Sequence, residues 1–157
     1  MTQEEKDLLL QDLSVRLPYG VIIQVNDGLK GTYDSQLVQV FCDRVSCSVN
    51  VRNPLEECVC IDSVKPYLRP LSSMTEEERE DFWKNVLDID WRELEFDEEP
   101  DEVPFPFTEN DCGFYLDFIY LADLFAVFDW LNEYHFDYRG LIPKGLAIST
   151  EVFNPYK

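Results

Sequence analysis

Apolar positions recur along this chain at two periods, and the changes from one to the other mark out its elements. Leu9, Leu10, Leu13 and Leu17 follow the three- and four-residue steps that keep side chains on one side of a helix. Thr2 with Glu5 three residues later forms a capping-box pattern, so a first helix is expected over residues 2–17. Pro18 and Gly20 close it, and the period then shortens to two. GVIIQV leads into Asn26-Asp27-Gly28, a turn sequence in which Gly28 tolerates positive φ. LVQVF and SCSVNV continue the alternation, with Val45, Cys47, Val49 and Val51 on one face and Ser46, Ser48 and Asn50 on the other. Pro54 interrupts it before CVCIDSV supplies a further strand. Residues 20–64 therefore read as a small antiparallel β-sheet, curled or closed into an SH3-like barrel.

KPYLRP, Lys65 to Pro70, reads as a connector, because its two prolines remove backbone donors and restrict the residues before them. The helical period returns over residues 75–90, where Thr75 is an N-cap, Glu76, Glu77 and Glu78 fill the first turn, and Phe82, Trp83, Val86 and Leu87 form an apolar side. Residues 93–110, ELEFDEEPDEVPFPFTEN, follow neither period and are expected to form a long loop. The longest apolar run, Cys112 to Gly140, comes next. From Ala122 onward Leu124, Phe125, Phe128, Trp130 and Leu131 predict a helix, whereas Gly113 to Leu121 also alternate as a strand would. Residues 114–135 are expected to be the main helix, on which the rest of the chain packs. Asp117, Asp123 and Asp129 are spread around such a helix and argue against a membrane span. Residues 136–157 read as a mixed tail with room for a short strand. The expected class is α+β in one domain, residues 1–157: an N-terminal helix, a small antiparallel sheet or barrel, and a C-terminal helical layer.

The chain is 45% apolar and 14% aromatic, enough to build a core despite a net charge of -19. That charge is uneven: the net is -3 over residues 1–74, -18 over 75–137 and +2 over 138–157. Such a middle region repels nucleic acid and membrane phosphates and attracts basic surfaces. The start, MTQEEKDLLL, has acids where a secretory signal would have basic residues and too short an apolar run, and five cysteines are an odd number, so reduced thiols in the cytoplasm are expected.

Candidate chemistry is sparse. Four residues separate Cys42 from Cys47 and one separates Cys58 from Cys60, so four thiolates could hold zinc. Structural zinc sites favour knuckles on turns, whereas these cysteines lie in strand-like sequence, so neither metal nor cofactor is expected. His135, Asp137 and Arg139 come nearest to a catalytic cluster. Structural roles suffice for all three: Asp137 bonding the turn backbone, Arg139 pairing with an acid, and His135 complementing a helix end as a cation. No nucleophile signature or phosphate loop accompanies them, so an enzyme is not expected. Asp88 with Asp90, and Asp97 with Glu98 and Glu99, could bind a divalent cation, but EF-hand spacing is missing and a solvated acidic face is expected. In the loop, Glu98, Glu99, Asp101 and Glu102 with Phe105, Phe107 and Phe96 are the candidates for partner contact.

Three stretches, LPYGV (Leu17 to Val21), KPYLRPLSSMTEEE (Lys65 to Glu78) and DWLNEYHFDYRGLIPKGLA (Asp129 to Ala147), resemble those of small uncharacterised acidic proteins of gut Bacteroidetes and their prophages or other mobile elements. The resemblance implies no activity, ligand or catalytic residue, and the acidic loop departs from the family's pattern. The function expected is that of a non-enzymatic cytoplasmic interaction protein, encoded by a phage or mobile element. It would meet a protein with a basic surface through its acidic middle region. The alternative is an acidic mimic of nucleic acid that occupies the basic groove of a DNA-binding or host-defence enzyme. Direct binding to nucleic acid or membrane is not expected.

Overall fold

Helix α1, Gln3–Arg16, begins with the capping box that its sequence encodes. The Thr2 hydroxyl accepts from the Glu5 N–H at 3.2 Å, and the Glu5 carboxylate accepts from the Thr2 N–H at 2.7 Å. Leu9, Asp12, Leu13 and Arg16 recur at three- and four-residue steps on its buried side, so an acid and a base enter the interior with two leucines. The computed structural model describes residues 1–42, 47–52, 57–93 and 121–157. It divides into two units, Met1–Pro70 with His135–Lys157, and Leu71–Tyr134.

The first unit holds α1 and a six-stranded sheet. Its strands are β1 (Ile22–Asp27), β2 (Gly31–Cys42), β3 (Cys47–Arg52), β4 (Glu57–Cys60), β5 (Val64–Leu68) and β6 (Ile148–Ser149), in the order β4-β3-β2-β1-β5-β6. Neighbours are antiparallel except β5 and β6, which are parallel. Period-two positions Ile23, Val25, Leu37, Val49, Val51, Val64 and Leu68 are buried and pack with Leu9 and Leu13 of α1. In the β1–β2 hairpin, Asp27 pairs with Gly31 and the Leu29 N–H donates to the Asp27 carboxylate at 2.9 Å. Positive φ falls on Gly31, at 84°, and not on Gly28 as the turn sequence suggested.

Two expectations are corrected here. The sheet is open and is not an SH3-like barrel: β4 and β6 lie at opposite edges, and a two-residue β6 is too short to close the ring. KPYLRP is not a connector, because most of it is β5, inside the sheet between β1 and β6. Pro66 is tolerated there because it pairs with Ile23 while the β6 ladder begins one residue later, at Tyr67 and Ile148. The segment beyond Phe136 holds the short strand for which its sequence left room, β6, and Leu141, Leu146 and Ala147 join the sheet's apolar cluster.

In the second unit a second capping box starts helix α2, Glu76–Asp81: the Thr75 hydroxyl accepts from the Glu78 N–H at 3.2 Å, and the Glu78 carboxylate accepts from the Thr75 N–H at 2.9 Å. The regular helix does not run to residue 90. It widens into a π turn, Phe82–Val86, and reverses at Asp88. Helix α3, Leu121–Glu133, buries Val127, Trp130 and Leu131, while Phe125 is 74% exposed and Phe128 is 40% exposed. The Trp130 ring meets Phe82 edge-on at 5.1 Å, and its Nε1 donates to Asp81 at 3.2 Å. Among the described residues, the apolar cluster of the first unit is built from α1, the sheet and the segment that follows Phe136. A helix apolar nearly all round carries no single face in its periodicity; Phe82 and Asp81 select the side bearing Trp130. Among the described residues no helix is long and apolar enough to cross a membrane.

Candidate functional site

The α2 segment, its π turn and the short 3-10 turn Trp91–Glu93 border a pocket of about 440 Å³ in the second unit. That lies in the range of about 300–1,000 Å³ typical of ligand sites. Trp83 and Ile89 give it apolar surface, and Glu80, Asp88 and Asp90 give it three carboxylates. Lys84 and Arg92 complete the lining. The Arg92 guanidinium donates from Nη2 to Glu80 Oε1 at 2.6 Å, and its Nη1 lies 3.6 Å from Asp90 Oδ1. The Arg92 backbone N–H also donates to Asp90 Oδ1, at 3.1 Å.

Asp88 occupies an unfavourable position for its type. The Leu87 N–H donates to the Phe82 carbonyl at 3.2 Å and the Ile89 N–H to the Trp83 carbonyl at 3.0 Å, so the helix ends through a left-handed residue, Asp88, with φ of 54°. Glycine is the usual residue at such an end, and a carboxylate there also opposes the negative end of the helix dipole. The paired acids Asp88 and Asp90 singled out in the sequence thus meet on one rim. Glu80, Trp83, Lys84, Ile89 and Arg92 were missed, although Glu80, Lys84 and Asp88 at four-residue spacing were a signal for a shared side.

In the first unit His135, Asp137 and Arg139 each have a structural role. The Asp137 carboxylate accepts from the Leu141 N–H at 2.8 Å and the Ile142 N–H at 2.7 Å, the turn-holding role expected of it. Arg139 Nε lies 3.6 Å from Asp12 Oδ1, the expected acid partner. Asp12 Oδ2 accepts from Arg16 Nε at 2.7 Å, and Arg16 Nη2 donates to the Phe136 carbonyl at 2.7 Å; Asp12 and Arg16 are fully buried. His135 departs from expectation. Burial, then the charges of Arg16 and Arg69, push its imidazole down to about 4, so it is a neutral ring and not a cation at neutral pH.

His135 stacks on Tyr156 at 4.1 Å. The Tyr156 hydroxyl accepts from the Ile22 N–H at 3.1 Å and donates to the Tyr67 carbonyl at 3.0 Å, bridging β1 and β5 just past their last register pair, Ile23 with Pro66. Burial pushes this phenol up to about 12, which keeps its donor proton in place. Neither Tyr156 nor the buried pair was anticipated. The positions of Asp12 and Arg16 in the stripe with Leu9 and Leu13 were the available signal.

The cysteines do not share a register. Cys58 and Cys60 are exposed on β4 opposite Asn50 and Ser48, whereas Cys42 and Cys47 pair with each other. Among the described residues no group of three or more His, Cys, Asp or Glu side chains is arranged to hold a metal ion. Glu98, Glu99, Asp101, Glu102, Phe105 and Phe107, with Phe96 and Asp97, lie outside the described residues. No protein-family model, curated protein or solved structure matches the chain.

Proposed function

We propose that this chain is a non-enzymatic cytoplasmic interaction protein whose acidic unit, Leu71–Tyr134, binds a protein partner with a basic surface. The observation that carries this reading is the separation of charge between the units. Met1–Pro70 with His135–Lys157 contains 12 acidic and 10 basic residues, a net of -2, whereas Leu71–Tyr134 contains 20 and 3, a net of -17. A field concentrated in this way speeds the approach of a basic surface and repels phosphate-rich ones. The roles of His135, Asp137 and Arg139 in holding the fold support the absence of catalysis from the reading.

The test is capture on the full chain from an extract of its native host, followed by elution with rising salt. Basic proteins should bind at about 50 mM salt and be released near 1 M, where the screening length falls to about 3 Å. Duplex DNA added as competitor asks whether the captured surface is a nucleic-acid groove, which is the mimic reading. A specific partner that withstands 1 M salt and still binds when the acids of the second unit are neutralised would overturn the electrostatic account.

A further inference from the structure

We propose that the outer edge of β4 is a self-association site, at which oxidation joins two copies of this chain through Cys58 of each and Cys60 of the other. The inference concerns the first unit and goes beyond the binding of a basic partner by the second. Among the described residues β4 is an end strand of the sheet, paired with β3 alone. Alternate residues of an end strand turn their N–H and C=O groups away from the sheet, where another strand can extend the ladder. Cys58 and Cys60 are exposed there, opposite Asn50 and Ser48, so both lie on one face of the sheet. Val59 between them packs against the apolar cluster on the other face.

Geometry selects a second copy over closure within one chain. Two residues along a strand span about 6.7 Å, at the upper limit of the Cα separation that a disulfide bridges, and their side chains point in parallel. An antiparallel β4 from a second copy, with Val59 opposite Val59, sets Cys58 of each chain directly opposite Cys60 of the other. Residues opposed in this way lie about 4.5–5.5 Å apart between Cα atoms, well inside that limit. The contact is its own complement under a two-fold axis and gives two equivalent bridges. Charge allows the approach, because the unit holding β4 has a net of -2, whereas pairing through the second unit would set -17 against -17. Asp62, just past β4, is paired with Lys6, so its charge is offset where Glu57 of the second copy arrives. Two four-residue strands bury far less than the roughly 1,200 Å² of a stable interface, so the reduced chain stays single and the bridges hold the dimer.

The oxidant is a low-molecular-weight disulfide such as oxidised glutathione. One protein thiolate attacks a sulfur of that disulfide and expels a glutathione thiolate. The opposed cysteine of the second copy, as its thiolate, then attacks the protein sulfur of the mixed disulfide and expels the other glutathione. The two protein thiols lose two electrons and two protons, which leave as two glutathione thiols.

The experiment compares the full chain in dithiothreitol with the full chain in oxidised glutathione, by light scattering and by mass spectrometry of the linked peptides. Oxidation should double the mass, dithiothreitol should return it to that of one chain, and the links should join two copies of the segment holding Cys58 and Cys60. Register is read from two surface variants, Cys58→Ser and Cys60→Ser. Mixed, they should crosslink through the one opposed pair that remains, while either alone should do so several-fold more slowly. A chain that keeps its single mass, an intrachain bridge between Cys58 and Cys60, links that run through Cys42, Cys47 or Cys112 instead, or single variants that crosslink as fast alone as mixed would each overturn the proposal.

Discussion

In the first unit Asp12 and Arg16 lie fully buried one helical turn apart, joined at 2.7 Å, within a unit of net charge -2. In the second, Glu76, Glu77, Glu80, Asp88, Asp90, Asp129 and Glu133 are exposed, within a unit of net charge -17. A buried, paired acid projects little field, but breaking its pair is strongly destabilising. An exposed acid adds little to stability, and its field reaches a Debye length into solvent. Charge therefore secures packing in one unit and faces outward in the other. Under the function proposed above, that contrast would separate a scaffold from a docking element.

The contrast can be broken most forcefully at Arg16. Arg16→Ala leaves the Asp12 carboxylate buried without its main partner and removes the bond to the Phe136 carbonyl, so it should cost about 3–5 kcal/mol. Urea denaturation measures this, and replacing the pair together by Arg16→Met and Asp12→Leu should recover much of the loss. In the second unit the large effects should come from apolar packing. Trp130→Ala removes the contact with Phe82 and the bond to Asp81 and should cost about 3 kcal/mol. Neutralising exposed Glu76 or Glu77 should change stability by less than about 0.5 kcal/mol.

His135 sharpens the comparison through pH. Its folded value is about 4 against an ordinary 6.5, so between these pH values the unfolded chain takes up a proton that the folded chain refuses. This contribution is fully present above pH 6.5 and is lost as the pH falls toward 4, by up to about 3 kcal/mol. His135→Asn, a residue that tolerates the φ of 58° found there, should give a shallower loss of stability between about pH 7 and pH 4.5. Parallel slopes for wild type and variant would contradict a buried neutral imidazole. A small gain is expected at Asp88: Asp88→Gly should stabilise the second unit by about 1 kcal/mol or less.

What could be read in the sequence was mostly local. Both capping boxes, at Thr2 with Glu5 and Thr75 with Glu78, follow from residues three apart, and the β1 to β4 strands follow from period two. What depended on distant partners was not legible. Pro66 looked like punctuation because nothing nearby reveals that β6, some 80 residues later, pairs one residue beyond it. The inward side of α3 was not legible because aromatic residues surround the helix and a distant Phe82 decides which are buried. Of the pocket, Asp88 and Asp90 could be recognised as a pair. Their meeting with Trp83 and Arg92 depends on the π turn and the reversal at Asp88, which no residue type there specifies.

The most direct test of the division between scaffold and docking element is a hydrogen-exchange footprint of the full chain with a basic partner isolated by low-salt capture. Protection should fall on backbone amides within Leu71–Tyr134, including Trp83 to Arg92, and disappear at high salt, while the sheet and α1 exchange as they do in the free protein. Protection centred on β4 or on the segment from His135 to Lys157, with none in the acidic unit, would contradict the account.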